Sequence, residues 1–329
     1  MKVIVTGSSG FIGGWVVRLL KRQGHTVIGV DVRRERFAND VDHHFDCNIL
    51  DCAGLKSVFA TTSPEAVVHL AARVDLNEKT HLSGYAANID GVRNLVAAIR
   101  QTPSVARAIY TSSQLVCRVG YVPSSDVDYC PSTLYGESKV LTEQIVRASK
   151  GGGVNWCLTR PTTVWGPHMS PHYQLLLSLI RRRLYFHPGK SKLFKSYSYA
   201  GNIAHQYSQL LRVPAEKIQG RTFYLCDYQP ISLRYYADEL SRQLQAPEIP
   251  SLPLPIASFL ARCGDLINLT GLITSPFSSF RLNNILTEYI FDTLATEDVC
   301  GPLPYSVQQG IEETASWYKT VSTNTGINK

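Results

Sequence analysis

The sequence lacks a long uncharged apolar run. Its most apolar stretch, Pro253–Thr274, contains Arg262 and Asp265, whereas a membrane-spanning helix needs roughly 18 or more consecutive apolar residues. We therefore predict no membrane span and interpret this stretch as a buried or lid helix, with contact at a membrane interface as the alternative. No basic and then apolar leader precedes the first predicted strand at Lys2. The sequence thus predicts no signal peptide and a cytoplasmic location.

Cysteine pairs are missing as well. The eight cysteines are scattered along the chain, none forms a CxxC motif, and none has a histidine at zinc-finger spacing. Disulfides are rare in the cytosol, so we expect free thiols. The spacing also predicts no metal site.

The chain has no acidic excess. Its 329 residues include 33 Lys and Arg against 26 Asp and Glu, a net charge of +7. Such a balance suits an anionic partner, either nucleic acid or a phosphorylated small ligand. The basic residues are dispersed rather than gathered into an arm, so we predict no nucleic-acid partner. The content of apolar residues, 44 %, is typical of a globular protein. The length corresponds to about two structural units.

Short apolar runs alternate with helical patterns from the start of the chain to about residue 165. Runs that are apolar on successive residues, separated by amphipathic helices, predict a parallel sheet covered on both faces. The expected fold is therefore α/β, a doubly wound parallel sheet of the Rossmann type over residues 1–165. Beyond it the chain has more Pro and Tyr, and residues 166–329 are predicted to form mainly a smaller mixed substrate cap, with segments returning to the sheet.

A glycine-rich segment, Thr6–Gly13, joins the first predicted strand to a helix. In that context the glycines permit a tight turn, and the helix N-terminus offers free N–H groups to a pyrophosphate. Asp31 ends the second predicted strand, where a carboxylate accepts hydrogen bonds from an adenosine ribose. A carboxylate repels a 2′-phosphate, whereas Arg33 and Arg34 could pair with one. The pattern favours NAD as cofactor and leaves NADP open.

A second motif places Tyr135 and Lys139 one helical turn apart. A free tyrosine hydroxyl, with a pKa of about 10, is a poor base near neutrality, and a nearby ammonium stabilises the phenolate. The preceding strand ends in Ser112 and Ser113, at the sheet edge where open α/β folds bind their ligands. We therefore predict Ser113, Tyr135 and Lys139 as catalytic residues, with Ser113 bonded to the reacting oxygen and Lys139 also holding the nicotinamide ribose.

Together these motifs resemble those of extended short-chain dehydrogenases/reductases, in the branch of NAD-dependent epimerases and dehydratases. TGSSGFIG at Thr6–Gly13 is similar to that branch's TGxxGxxG, His69–Ala72 resembles its HLAA stretch, and the Arg160-Pro161 to Pro167 segment is similar to its RPxxVYGP. The likeness runs nearly end to end. It implies that the cofactor contacts Gly7, Ser9, Gly10, Phe11, Ile12, Gly13, Asp31, Arg33, Asn48, Ile49, Leu70, Ala71, Ala72, Asn88, Tyr135, Lys139 and Pro161.

The sequence departs from the family pattern at three positions. Gln114 follows the catalytic serine, where the dehydratases and decarboxylases of this branch resemble one another in carrying an acid. Glutamine cannot transfer that proton, so dehydration is disfavoured. Asn48 replaces a frequent acid, with its carbonyl able to reach the adenine amine, and Cys117 replaces part of a VYG segment as a small core residue or one that shapes the substrate pocket.

The resemblance implies two main substrate classes. Lys195 and Arg281 match the family's diphosphate-binding arginines, and Gln114, Thr162 and Thr163 join Ser113 at expected substrate contacts. These matches favour a nucleotide-diphosphate sugar, oxidised or reduced at a ring carbon, probably C4, by a 4-keto-sugar reductase or a 4-epimerase. The alternative is a 3β-hydroxysteroid-type dehydrogenase acting on an apolar alcohol, and a third is a non-catalytic dinucleotide-binding regulator. The resemblance also implies a homodimer, paired through the predicted helices at 88–100 and 135–150.

Overall fold

The computed structural model describes residues 1–34, 40–269, 275 and 277–324. The chain forms two compact units. The first contains Met1–Val164, Ser198–Tyr228 and Asp292–Pro304, and the second contains Trp165–Tyr197, Gln229–Phe291 and Tyr305–Lys329. The predicted division of labour, with cofactor binding in residues 1–165 and substrate binding mainly in 166–329, stays a prediction.

Thirteen strands occur in the described part of the chain. They are β1 (Lys2–Thr6), β2 (Thr26–Asp31), β3 (His43–Asp46), β4 (Ala66–His69), β5 (Arg107–Thr111), β6 (Asn155–Pro161), β7 (Thr163–Trp165), β8 (His187–Pro188), β9 (Phe194–Lys195), β10 (Tyr197–Tyr199), β11 (Thr222–Leu225), β12 (Ile231–Ser232) and β13 (Ser251–Leu252).

Eleven α-helices lie between or beyond these strands within the same described ranges. They are α1 (Phe11–Arg22), α2 (Cys52–Thr62), α3 (Ala86–Arg100), α4 (Leu134–Ala148), α5 (Pro171–Arg181), α6 (Ala200–Arg212), α7 (Leu233–Gln243), α8 (Leu254–Leu269), α9 (Ser279–Leu286), α10 (Leu294–Cys300) and α11 (Val307–Asn324).

The first unit is built on a seven-stranded sheet in the order β11, β6, β5, β4, β1, β2, β3, and every neighbouring pair is parallel. Strands run outward from β1 to β3, and the chain then returns to β4 on the other side of β1. The carboxyl ends of β1 and β4 therefore flank a topological switch point, the place where open α/β sheets bind ligands. The predicted Rossmann-type sheet is confirmed.

Alternate residues of β1 explain why helices cover both faces of this sheet. Val3 and Val5 are fully buried in a cluster with residues of α1 and α6, whereas Ile4 is fully buried in a second cluster with residues of α2 and α3. A strand buried on both sides needs no polar alternation, which is why its sequence is apolar throughout. Because the strands are buried on both faces, the positions of their ends are well defined. The residues that follow the strand ends are therefore held in place as well.

The second unit combines short strand pairs with helices. β8 pairs with β13 in parallel, and β9 pairs with β12 in antiparallel orientation. α8 packs on α9 through Ala257, Ala261 and Leu282. Among the described residues, none of the helices is long and apolar enough to cross a membrane.

Candidate active site

The glycine-rich turn after β1 is closed by tight backbone packing. Gly7 adopts φ +73°, and a Cβ atom there would lie 2.6 Å from the backbone nitrogen of Ala71. A Cβ on Gly13 would overlap the carbonyl oxygen of Gly7, so only glycine lets α1 approach the turn this closely. Gly10 precedes the helix and has no side chain to cap it. The free N–H groups at the start of α1 suit a pyrophosphate.

Asp31 joins this turn to the end of β2. Its buried carboxylate accepts hydrogen bonds of 3.0 Å from the backbone nitrogens of Ser9 and Arg33. The Ser9 hydroxyl in turn donates to the carbonyl oxygen of Arg33 at 3.0 Å. The carboxylate is thus fixed beside the turn, while Arg33 and Arg34 are exposed. Phe11 and Ile12 are partly buried against the first apolar cluster.

The end of β4 is tied to the end of β1 through Thr6. The Thr6 hydroxyl lies 2.7 Å from Nδ1 of His69 and accepts bonds of 3.3 Å from the backbone nitrogens of Leu70 and Ala71. Burial, with a smaller contribution from Lys139, lowers the pKa of His69 to about 3, so this histidine is neutral. These bonds hold the segment Leu70–Ala72 along one side of the switch point.

Two further predicted cofactor contacts lie near β3 and α3. Asn48 is exposed, and its Oδ1 accepts a bond of 3.0 Å from the backbone nitrogen of Leu50. Ile49 is buried, and Gly91 of α3 lies so close that a Cβ there would overlap its side chain. Asn48 therefore stabilises its own turn, and its contact with adenine stays a prediction.

Asn88 connects three segments beneath the site. It is fully buried on α3, and its Nδ2 donates to the carbonyl oxygen of Arg73 at 3.0 Å and to the hydroxyl of Ser138 at 2.9 Å. Its Oδ1 accepts from the backbone nitrogen of Arg73 at 2.8 Å. These bonds hold α4 against the loop that follows β4, and contact of Asn88 with the cofactor stays a prediction.

Tyr135 and Lys139 are both buried on α4. The Tyr135 ring lies 6.0 Å from that of Tyr85. The Lys139 ammonium donates a bond of 3.0 Å to the carbonyl oxygen of Thr111, the last residue of β5. Burial, partly offset by Glu143, lowers the pKa of Lys139 to about 8. Lys139 thus places α4, and with it Tyr135, at the carboxyl edge of the sheet.

Buried hydroxyl and amide groups follow β5 and β6. The Ser113 hydroxyl accepts a bond of 3.1 Å from the backbone nitrogen of Leu115. The side-chain oxygens of Ser112, Gln114 and Thr162 are buried without a hydrogen-bond partner. Buried polar atoms are normally bonded, so these three oxygens suit groups supplied by a bound ligand. Pro161 ends β6 directly before Thr162, and Thr163 begins β7.

A buried ion pair that the sequence did not predict stabilises α4. Arg160 of β6 binds both carboxylate oxygens of Glu143 at 2.8 Å, and neither side chain is exposed. The same guanidinium donates to the hydroxyl of Tyr224 and to the carbonyl oxygen of Asp126. In the sequence, the one indication of this role was that Glu143 follows Lys139 by one helical turn on the same helix.

The predicted diphosphate-binding cations lie in the second unit. Lys195 is buried, its ammonium bonds to the carbonyl oxygens of Asn284 and Thr287, and it lies 4.5 Å from the ring centre of Tyr289. Burial lowers its pKa to about 8, against a smaller opposing contribution from Glu288. Arg281 is half-buried in the first turn of α9. Lys195 therefore stabilises the end of α9, and its diphosphate role stays a prediction.

These features fit a nicotinamide dinucleotide. The glycine turn, the free N-terminus of α1, the fixed Asp31 carboxylate and the bonded segment after β4 surround the switch point of the sheet. A Cβ would fill the cradle at Gly7 and Gly13. Lys139 and the unpartnered oxygens of Ser112 and Thr162 lie at the adjoining strand ends.

The sequence profile described as the NAD dependent epimerase/dehydratase family matches residues 3–223, and the chain belongs to this family. It is similar to a 3 beta-hydroxysteroid dehydrogenase/Delta 5-->4-isomerase of Mycobacterium tuberculosis, with 27 % identity over 72 % of this chain and 67 % of that protein. It is also similar to the N-acetyl-alpha-D-glucosaminyl-diphospho-ditrans,octacis-undecaprenol 4-epimerase of Escherichia coli O157:H7, with 24 % identity over 96 % of this chain and 94 % of that protein.

Among solved structures, the chain is similar in fold to the UDP-glucose 4-epimerase of Thermotoga maritima. The TM-score is 0.76 and the identity 19 %, covering 98 % of this chain and 99 % of that one. The predicted membership in the extended short-chain dehydrogenase/reductase family and the predicted cofactor, NAD, are confirmed at the level of the family. The roles of individual site residues, the homodimer and the cytoplasmic location stay predictions.

Proposed function

We propose that this protein is an NAD-dependent oxidoreductase that transfers hydride at a carbon bearing a secondary hydroxyl. The observation that carries the proposal is the bond from Lys139 to the end of β5. It brings Tyr135 and Lys139 of α4 to the strand end that continues into Ser113. A phenol, a hydroxyl and an ammonium at that edge suit removal of a proton from an alcohol.

In the proposed reaction, Tyr135 takes the proton of the substrate hydroxyl while Ser113 donates a hydrogen bond to the same oxygen. The Lys139 ammonium stabilises the tyrosine in its ionised form. Bound NAD would supply the acceptor for the hydride of the alcohol carbon. In the reverse direction Tyr135 returns the proton to the ketone oxygen. Gln114 neither donates nor removes a proton, which argues against an elimination step.

For the substrate, we infer a hydrophobic ring alcohol of the 3β-hydroxysteroid type. The supporting observation is Lys195, whose buried ammonium is already bonded to two backbone carbonyls. Two of its three N–H groups are thus used within the protein, whereas an apolar alcohol needs no cation at all. The similarity to a 3 beta-hydroxysteroid dehydrogenase points in the same direction.

A nucleotide-diphosphate sugar, reduced or epimerised at C4, is the second candidate. Arg281 supports it, because the half-buried guanidinium lies on a helix adjoining Lys195. The similarity to a 4-epimerase over nearly the whole chain supports it as well.

The test measures turnover and substrate class together. The purified protein is incubated with NAD and a panel of 3β-hydroxysteroids, UDP-sugars and dTDP-sugars. We expect NADH to form only with the hydrophobic alcohols. Interconversion of sugars without net NADH, and thermal stabilisation by UDP that Arg281→Ala abolishes, would instead establish the second candidate.

The catalytic assignment is tested by Tyr135→Phe, with Tyr110→Phe as matched control. Tyr110 is buried and its hydroxyl donates to the carbonyl oxygen of Gly151 at 3.0 Å, so both variants lose one buried hydroxyl. We expect Tyr135→Phe alone to lower kcat by 100-fold or more, about the contribution of general acid–base catalysis, with the Kd for NAD unchanged. Equal activity in the two variants would refute the assignment, and a protein that binds NAD without turnover on any substrate would be a regulator.

A further inference from the structure

We propose that the outer face of α8, together with a neighbouring basic segment, binds the surface of an anionic membrane. This membrane-binding surface consists of Ile256, Phe259, Leu260, Leu266 and Ile267 on α8 and of Arg182, Arg183, Lys190 and Lys192 beside it. The proposal concerns peripheral attachment, with the helix lying in the membrane interface, and it is independent of the substrate of the enzyme.

α8 is apolar on both of its faces. Its inner face buries Ala257, Ala261 and Gly264 against the rest of the second unit. Its outer face carries five large apolar side chains, of which Phe259 is 66 % and Leu266 65 % exposed. A helix that is apolar all round normally lies in a protein core or in lipid, so this face is unsuited to water.

The neighbouring helix α9 also carries an exposed large apolar side chain. Phe280 lies on α9, which packs on α8, and it is 67 % exposed. Single exposed apolar residues are common, but contiguous apolar surface on a protein marks a site of interaction. The phenylalanines and leucines here are the residue types that insert below the headgroups in interfacial helices.

Charge complementarity identifies the partner as an anionic lipid surface. Residues 165–197 include six Lys and Arg and no Asp or Glu. Lys195 is buried, whereas Arg182, Arg183, Lys190 and Lys192 are exposed. Basic side chains near an apolar helix face add electrostatic attraction to anionic lipids.

Contacts place this basic segment beside α8. Phe186, three residues after Arg183, packs edge-on against Phe277 with ring centres 5.0 Å apart, and both rings contact the cluster under α8. A Cβ atom on Gly189 would lie 3.1 Å from Cγ of Leu254, the first residue of α8. Lys190 follows directly, at the beginning of the helix.

Acidic residues do not cancel this charge along α8. Asp265 is the one acid of the helix, and it is half-buried with its carboxylate accepting a bond of 3.1 Å from the backbone nitrogen of Ser279. Arg262 is exposed on the same helix. The helix therefore presents apolar and basic groups outward.

The test is co-sedimentation of the full chain with vesicles of phosphatidylcholine alone and with about one third phosphatidylserine. We expect binding to the anionic vesicles, weakened by salt because exposed charges are screened. A Phe259→Ser/Leu266→Ser variant should bind at least tenfold more weakly. The Lys190→Gln/Lys192→Gln variant should bind anionic vesicles more weakly than the wild type at low salt. The difference should shrink at high salt, where exposed charges are screened. Val122→Ser, which removes another exposed apolar side chain in the first unit, should bind as the wild type does.

Three outcomes would overturn the proposal. The first is a wild type that remains in the supernatant with both kinds of vesicle, and the second is a Phe259→Ser/Leu266→Ser variant that binds as well as Val122→Ser. The third is a protein that binds no vesicles and forms, by light scattering, a dimer that the Phe259→Ser/Leu266→Ser variant dissociates; the face would then be an interface between two copies. Circular dichroism of each variant confirms that it is folded, and NAD affinity serves as a separate measure of the first unit.

Discussion

The ammonium of Lys139 donates a hydrogen bond of 3.0 Å to the carbonyl oxygen of Thr111. Lys139 is 2 % exposed, and the Thr111 carbonyl and the charge of Glu143 compensate only partly for its loss of water. A buried ammonium that is only partly compensated costs folding free energy. The proposed mechanism uses this charge to stabilise the ionised form of Tyr135, and such a cost is expected where function and stability compete.

Replacing Lys139 with methionine should therefore stabilise the protein while removing its activity. Burial lowers the pKa of Lys139 from 10.5 to about 8, which corresponds to a penalty of about 3 kcal/mol for the charged form. Removing the ammonium relieves this penalty, but it leaves the Thr111 carbonyl unpaired, which costs about 1 kcal/mol or more. We expect a net gain of about 1–2 kcal/mol in the free energy of unfolding at pH 7, measured by urea denaturation without added cofactor. A less stable variant would contradict this account.

The stability difference between Lys139→Met and the wild type should shrink as the pH rises above 8. Below pH 8 the lysine is charged in both states, and the folded wild type bears the full penalty. Between pH 8 and about 10.5 the folded protein releases the proton while the unfolded chain keeps it, so the wild type gains stability relative to the variant. Urea titrations at pH 7, 8.5 and 10 measure this narrowing, and a constant difference would rule it out.

The sequence predicted the glycine turn and the neighbouring strand ends because these signals are local, and the contacts of these residues with the cofactor stay predictions. The glycines of the turn, Asp31, and the spacing of Tyr135 and Lys139 each depend on residues close in the chain. Long-range partners carry no such signal. The bond of Asn88 to Ser138 spans 50 residues, and the Arg160–Glu143 pair depends on the approach of α4 to β6.

Lys195 has contacts that its sequence motif did not predict, and its role in binding a diphosphate stays a prediction. Its position in the sequence matches a diphosphate-binding arginine, but its surroundings are set by the end of α9, about 90 residues later. Arginine presents a rigid fork of donors to phosphate. The compact ammonium of Lys195 instead donates to two backbone carbonyls. A sequence motif identifies the type of residue at a position, but the contacts of that residue depend on the tertiary fold.

The glycine turn gives a prediction about NAD binding. Gly13→Ala adds a Cβ that would overlap the carbonyl oxygen of Gly7, so the turn must move away from the N-terminus of α1. We expect the Kd for NAD, measured by calorimetry, to rise at least tenfold. Gly24→Ala is the control, because Gly24 has φ +78° with no atom near its missing Cβ. It should cost about 1 kcal/mol of stability through backbone strain and leave the Kd unchanged.

The carboxylate of Asp31 gives a prediction about the choice of dinucleotide. If Asp31 binds the adenosine ribose, as the sequence predicts, its carboxylate would repel the 2′-phosphate of NADP, while Arg33 and Arg34 are exposed nearby. Asp31→Ala should weaken NAD binding and strengthen NADP binding, changing the ratio of the two Kd values by about tenfold or more, since about 1.4 kcal/mol is tenfold. Arg33→Ala should weaken NADP binding relative to NAD binding. Parallel movement of both affinities in Asp31→Ala would mean that the carboxylate only holds the turn.

The Arg160–Glu143 pair allows a test of how α4 is positioned. Neither side chain is exposed, so Glu143→Gln leaves a buried guanidinium without its counter-charge and should destabilise the protein by about 3–5 kcal/mol. The double variant Arg160→Met/Glu143→Leu removes both charges and should recover a substantial part of that loss, because it no longer buries an unpaired ion. Recovery will be incomplete, since the carbonyl of Asp126 and the hydroxyl of Tyr224 lose their partner. Urea denaturation of the two variants measures the effect. Equal stability of the single and double variants would mean that removing the unpaired guanidinium recovers nothing, which would contradict this account.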